Sequence, residues 1–194
     1  MQPAAIQIIR DEHLAIAAVV YSLRQLVRHI RDDGRAPDFR LLHAMFDYIV
    51  EYPDRWHHPK ENDYLFAALR KRNPKAGALI DELEAEHVAG DALIEDLKTG
   101  LTRFERGEAG AFAPFAAAVE HYAQFQWDHM RKEEDILMPL AEKSLTPEDW
   151  QAIASAFQEN DNPLYGIKPK EQAEALYRRI LSLAPSPTGR GLAP

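Results

Sequence analysis

Two stretches of the chain decide the fold: HHPKENDYLF at residues 57–66 and HMRKEEDILM at residues 129–138. Each begins with a histidine that is followed four residues later by a glutamate, giving the pairs His57 with Glu61 and His129 with Glu133. Residues four apart share one face of an α-helix, so each pair can present an imidazole and a carboxylate to the same point. The two stretches therefore predict two helices that carry metal ligands.

The repeat extends to one histidine upstream of each stretch. His13 lies 44 residues before His57, and His87 lies 42 residues before His129. The two halves are offset by 72 residues at the paired ligands and by 74 at the single histidines. Matching residue types at matching spacing predict two helical hairpins related by a pseudo-twofold axis.

Four long segments carry apolar residues at steps of three and four, which is the helical period. They span about residues 4–31, 37–72, 73–107 and 111–143. Long helices with short connections favour an all-α, up-down-up-down four-helix bundle, and no stretch calls for a strand. Pro53 and Pro59 predict an irregular turn near His57, because a proline cannot supply a helical N–H.

The sequence divides into a four-helix bundle at residues 1–144 and a C-terminal helical extension at residues 145–194. Thr146 is suited to cap a short helix that begins at Pro147. A second short helix is expected at about residues 169–183, and the terminal stretch APSPTGRGLAP is expected to be flexible.

Composition narrows the function classes. The 194 residues include 23 Lys and Arg against 31 Asp and Glu, a net charge of −8 that disfavours nucleic acid and anionic membranes as partners. No cysteine is present, which excludes disulfides, thiolate zinc sites and iron–sulfur clusters. No apolar run approaches the ~20 residues of a membrane span, and the N-terminal residues do not resemble a signal peptide. A cytoplasmic protein is expected, and a homodimer is compatible with the sequence.

Six residues form the predicted metal site: His13, His57, Glu61, His87, His129 and Glu133. Two ions a few Å apart could take two histidines each, with both glutamates bridging them. Mixed nitrogen and oxygen donors suit iron, manganese or zinc better than magnesium or calcium. A ferritin-like site is disfavoured, because it needs Glu-x-x-His on two helices. Glu84 precedes His87 at that spacing, but Arg10 stands at the equivalent position before His13.

Over roughly residues 5–143 the chain resembles the hemerythrin-like family, also called HHE cation-binding domains, on these six positions and the two quoted stretches. The resemblance implies a four-helix bundle that holds two non-haem iron ions as an oxo- or hydroxo-bridged pair, with zinc or manganese fitting less well. It also implies that the six residues are the ligands and that both glutamates bridge.

One departure from the oxygen-carrying hemerythrins is evident. Those proteins use five histidines, two of them four residues apart on the third helix, whereas Leu83 stands four residues before His87. A more symmetric and more open centre is therefore expected, similar to bacterial diiron proteins linked to nitric oxide, peroxide and iron–sulfur repair. The C-terminal extension could cap the open side or supply a further ligand.

The resemblance implies a protein that binds O2, NO or peroxide for sensing, scavenging or storage. The alternatives are an enzyme that turns over hydrogen peroxide or nitric oxide, and an iron donor for iron–sulfur repair.

Three residues adjoin the predicted ligands in the sequence: Glu12, His58 and Glu86. His58 points about 100° away from His57 on an α-helix, so it is predicted to be a surface residue or to contact a ligand rather than the metal. Glu12 and Glu86 could accept hydrogen bonds from the imidazoles or could be solvated carboxylates.

Overall fold

The computed structural model describes residues 3–158. Helix α1 spans Ala4–Asp33 and ends at Gly34, whose φ of 64° is the left-handed conformation that glycine adopts without strain. Helix α2 covers residues 39–72 and begins where the Asp38 side chain accepts a hydrogen bond from the backbone N–H of Leu41 at 3.1 Å.

Helix α2 alternates between α-helical and π-helical geometry. It is α-helical over Phe39–Ile49, His58–Lys60 and Ala67–Arg72, and π-helical over Val50–His57 and Glu61–Phe66. Pro53 lies inside the first π-helical segment, where the wider turn accommodates a residue without an N–H. The irregular turn that the prolines predict near His57 is confirmed.

The second hairpin contains helices α3 and α4. A single 3₁₀ turn, Pro74–Ala76, leads into α3 at Gly77–Glu105. Helix α4 covers residues 112–144 and is α-helical over Phe112–Lys132 and Met138–Ser144, with a π-helical segment between them at Glu133–Leu137. The structure is all-α over the described residues, and short connections join the four long helices as expected for the predicted bundle.

A fifth helix, α5, spans Pro147–Gln158. Thr146 Oγ1 accepts from the Asp149 N–H at 3.3 Å, and Asp149 Oδ2 accepts from the Thr146 N–H at 2.9 Å, which is a reciprocal capping arrangement. The predicted helix start is confirmed. The second predicted helix and the terminal stretch lie outside the described residues.

Two apolar clusters fill the bundle, and the predicted site residues lie between them. One cluster contains Ile16–Val27 of α1 together with the first half of α2, and the other contains Ala5, Ile6 and Ile9 together with Phe157 of α5. His13 falls between the two groups of α1 residues. Within residues 3–158, no helix has both the length and the apolar character needed to cross a bilayer.

Candidate metal centre

All six residues predicted as ligands meet in the layer between the two apolar clusters. Their exposed fractions are at most 7%, the value for His87, and Glu61 is fully buried. Burying polar and ionisable groups together is unfavourable unless each gains a partner. The free-energy cost of burying these six groups therefore falls in one layer of the bundle, where a bound cation would offset it.

The four histidines form two pairs. The Nε2 atoms of His13 on α1 and His57 on α2 are 3.1 Å apart, and those of His87 on α3 and His129 on α4 are also 3.1 Å apart. Each pair therefore joins the two helices of one hairpin, as the sequence repeat predicts. Two imidazole nitrogens that face each other at this distance can bind one cation together.

Glu61 lies between the two histidine pairs. Its Oε1 atom is 3.5 Å from His13 Nε2 and 3.2 Å from His57 Nε2, while its Oε2 atom is 3.5 Å from His87 Nε2. The carboxylate therefore directs one oxygen toward each pair. This is the arrangement that a carboxylate bridging two ions requires.

Glu133 repeats this arrangement from α4 with the oxygens reversed. Its Oε2 atom is 3.3 Å from His13 Nε2, and its Oε1 atom is 3.8 Å from His87 Nε2 and 3.5 Å from His129 Nε2. Glu61 and Glu133 each begin a π-helical segment. Such segments are rare and often occur at functional sites.

His57 and His129 are the histidines that a glutamate follows four residues later. The Nδ1 atom of each, on the outer side of the ring, donates to a carboxylate of the other helix in the same hairpin. His57 Nδ1 donates to Glu12 Oε2 at 2.7 Å, and His129 Nδ1 donates to Glu86 Oε2 at 2.9 Å. Lys132 in turn makes a short contact with Glu86. Of the two roles that the sequence left open for these glutamates, orientation of the imidazoles is the one observed.

His13 and His87 are each oriented by a residue of the other hairpin. Neither of these two residues was predicted from the sequence. His13 Nδ1 donates to Glu134 Oε1 at 2.9 Å, and His87 Nδ1 donates to Asn62 Oδ1 at 3.0 Å. Asn62 and Glu134 each follow a predicted bridging glutamate and are related by the same 72-residue offset. That offset is the signal that could have identified them.

These outer hydrogen bonds fix which imidazole nitrogen is free for a metal. A carboxylate or amide oxygen only accepts, so the Nδ1 atom of each histidine carries the proton. In the neutral rings, every Nε2 lone pair then points into the centre. Metal-bound histidines commonly show this orientation, with the second nitrogen donating to a carboxylate or an amide.

The carboxylate oxygens also fit a bound cation. Among the described residues, none of the four oxygens of Glu61 and Glu133 has a hydrogen-bond partner, although all four are buried. Burial would raise the pKa of Glu61, but the facing His57 and His13 outweigh it and lower the pKa well below its usual value. Buried carboxylates that stay charged and lack donors are suited to metal ligation.

Protons take the place of the cation in the metal-free site. Burial alone would lower the pKa of His57, but the charge of Glu61 and the hydrogen bond to Glu12 raise it to about 9. The pKa of His13 is also raised well above its usual value, because Glu133, Glu134 and Glu61 outweigh its burial. Metal binding must release these protons.

This exchange predicts opposite pH dependences for the metal-free and metal-loaded protein. The pKa of His57 is about 9 when folded and about 6.5 when unfolded. Its contribution to stability is therefore complete below about pH 6.5 and is lost as the pH rises through 9. We expect the unfolding temperature of the metal-free protein to fall over this window. Metal-loaded protein is expected to keep or gain stability there, since fewer protons compete with the ions. An unfolding temperature that changes with pH in the same way in both forms would contradict this assignment.

The partner of His13 allows a matched pair of substitutions. Glu134→Gln removes the charge that orients His13 and is expected to weaken metal binding by about 10- to 100-fold, as measured by competition with a chelator. Asp135→Asn changes a neighbouring carboxylate that is 65% exposed and should leave affinity unchanged. Equal effects of the two substitutions would show that Glu134 acts only through the overall charge.

His58 is not on the surface, so that part of its prediction is wrong. It is 8% exposed, and its ring centroid is 4.2 Å from that of His87 with an interplanar angle of 15°. Burial and the neighbouring His87 and His57 lower its pKa well below the usual value, so the ring is neutral at pH 7. His58 therefore adjoins the second histidine pair.

Helix α5 covers the side of the centre near the first histidine pair. The Phe157 ring meets His57 edge-on with centroids 5.9 Å apart, and Lys60 Nζ donates to the Ala156 carbonyl at 2.5 Å. The start of the C-terminal extension thus caps this side. Its described residues place no metal-binding atom in the centre.

Comparison with known proteins agrees with this geometry. The family model for the hemerythrin HHE cation-binding domain matches residues 4–141, which cover the four long helices except the last three residues of α4 and include the six buried residues. No individual curated protein matches the chain. On the strength of the family match, the chain belongs to the hemerythrin HHE cation-binding domain family.

Proposed function

We propose that the protein holds two non-haem iron ions and binds O2, NO or peroxide at them, for sensing, scavenging or storage. The main support for this proposal is that Glu61 and Glu133 each direct one carboxylate oxygen toward the first histidine pair and the other toward the second. A single ion would not need four imidazoles in two separate pairs. His13 and His57 would hold one ion, His87 and His129 the other, and both glutamates would span the two.

The charge and type of the donors support iron. Two carboxylates and neutral imidazoles leave two divalent ions with a net charge of +2, which an anionic or reducible ligand can lower further. Iron tolerates this mixture of nitrogen and oxygen donors and can change oxidation state, whereas zinc cannot. A bound diiron pair supplies the electrons and the open coordination position that O2, NO or peroxide requires.

A small cavity supports access by such ligands. It has a volume of about 200 Å³, lies between α1 and α4, and is bordered by His13, Met130 and Glu134. A diatomic molecule or peroxide needs only a fraction of this volume. The same cavity would also serve a second candidate function, turnover of hydrogen peroxide or nitric oxide at the same centre.

Optical spectra distinguish the two functions. Protein loaded anaerobically with Fe(II) would be exposed to O2 or NO and then returned to anaerobic conditions. A spectral change that reverses, with two irons retained per chain, is the result expected for a binding protein. Continuous consumption of peroxide or nitric oxide would identify an enzyme. No spectral response to any of the three ligands would contradict both.

A further inference from the structure

His58 has the position of a ligand rather than of a packing residue. One of its ring nitrogens lies with donor atoms of Glu61, His87 and His129 in a group whose members are all within 4.8 Å of one another. This group is the second histidine pair with one imidazole added. His58 is as buried as His87, at 8% and 7% exposure.

As the His57 ring does, the His58 ring turns its Nδ1 atom toward a carboxylate. Its Nδ1 atom faces the Asp54 carboxylate at 3.6 Å, so Nε2 is on the side of the ring away from this carboxylate. The ring centroid is 4.2 Å from that of His87 and 5.9 Å from that of His129. The carboxylate of Asp54 lies on the Nδ1 side of His58 as that of Glu12 does for His57, but at 3.6 Å and not at the 2.7 Å of a hydrogen bond.

Only one of the two sequence repeats has a histidine at this position. The residue 72 positions after His58 is Met130, so the first histidine pair has a thioether where the second pair has an imidazole. Met130 borders the cavity next to His13. The two halves of the centre therefore differ at this position.

We propose that His58 is a third imidazole ligand of the ion held by His87 and His129. This inference rests on the proposed function, since it presupposes two ions. His58, His87 and His129 would then hold the second ion with the two carboxylates, while His13 and His57 would hold the first with the same carboxylates. The first ion would have one protein donor fewer, on the side of the cavity that Met130 borders.

Co²⁺ titration of wild-type protein and two variants tests the assignment. His58→Phe keeps a ring against His87 but removes the nitrogen, and is expected to weaken binding of one Co²⁺ by at least about 10-fold. The other Co²⁺ should bind within twofold of wild type. His121→Phe, at an exposed position on α4, is the control and should bind both ions normally. Circular dichroism establishes that each variant is folded.

A chemical rescue keeps the test valid if His58→Phe packs poorly. His58→Gly opens space for free imidazole, and millimolar imidazole is expected to restore binding of the second Co²⁺ to this variant but not to His58→Phe. Two Co²⁺ bound by His58→Phe with unchanged affinity and an unchanged visible spectrum would overturn the proposal. Wild-type protein that binds fewer than two ions would instead overturn the proposed function.

Discussion

Glu61→Ala is expected to reduce bound metal from two ions per chain to fewer than one. Each oxygen of Glu61 faces a different histidine pair, so the substitution removes one anionic donor from both ions at once. Loss of this bridging charge also leaves two cations close together with only Glu133 between them. Metal analysis after anaerobic loading and gel filtration gives the stoichiometry.

Two further variants separate ligand loss from a damaged core. Glu61→Gln keeps the size of the side chain and removes its charge, and the same loss of metal is expected. Asp63→Ala alters an exposed carboxylate two residues away and should retain two ions per chain. Full metal content in both Glu61 variants would show that this residue is not a ligand.

Metal loading is expected to stabilise the protein strongly. Ions that bind only the folded state contribute about 4 kcal/mol each when their free concentration is a thousandfold above the dissociation constant. For a domain of this size, 4 kcal/mol raises the unfolding temperature by roughly 8–16 °C. The physical reason is that in the metal-free centre only imidazole protons offset the charge of the two buried carboxylates, whereas bound ions would offset it directly.

Calorimetry with and without metal measures this effect. Addition of a chelator should return the loaded protein to the lower unfolding temperature, and a His57→Ala variant should gain less from loading than wild type. An unfolding temperature that does not respond to metal would show that the six buried residues are satisfied by their own contacts.

Much of the site could be predicted from residue spacing alone. A histidine and a glutamate four residues apart, repeated in register, predict which side chains face the bundle interior. The π-helical turns at Glu61 and Glu133 do not disturb this prediction, because both pairs still reach the centre. The convergence of six polar residues follows from the repeat, since buried polar groups must find partners.

The position of His58 could not be predicted in the same way. His58 does point away from His57, as expected, but toward the second histidine pair and not toward solvent. Its burial follows from the packing of α3 and α4 against this side of α2, which spacing along α2 alone does not show. The prolines indicate an irregular turn near His57, but they do not indicate which side chains that turn brings to the second histidine pair.

The contacts of Glu134 and Asn62 could not be predicted from the sequence for a different reason. Glu12 and Glu86 orient histidines within their own hairpins, but Glu134 reaches His13 and Asn62 reaches His87 across the two hairpins. Spacing along the chain describes one hairpin at a time. The way the hairpins face each other depends on packing of the whole core.

We propose that Glu61 and Glu133 bridge two ions held by separate histidine pairs. The most direct test is anaerobic equilibrium dialysis against Fe(II), followed by measurement of iron per chain. The geometry predicts two irons per chain, bound with affinities that depend on both glutamates. One iron per chain, or none, would contradict the account while leaving the four-helix bundle unchanged.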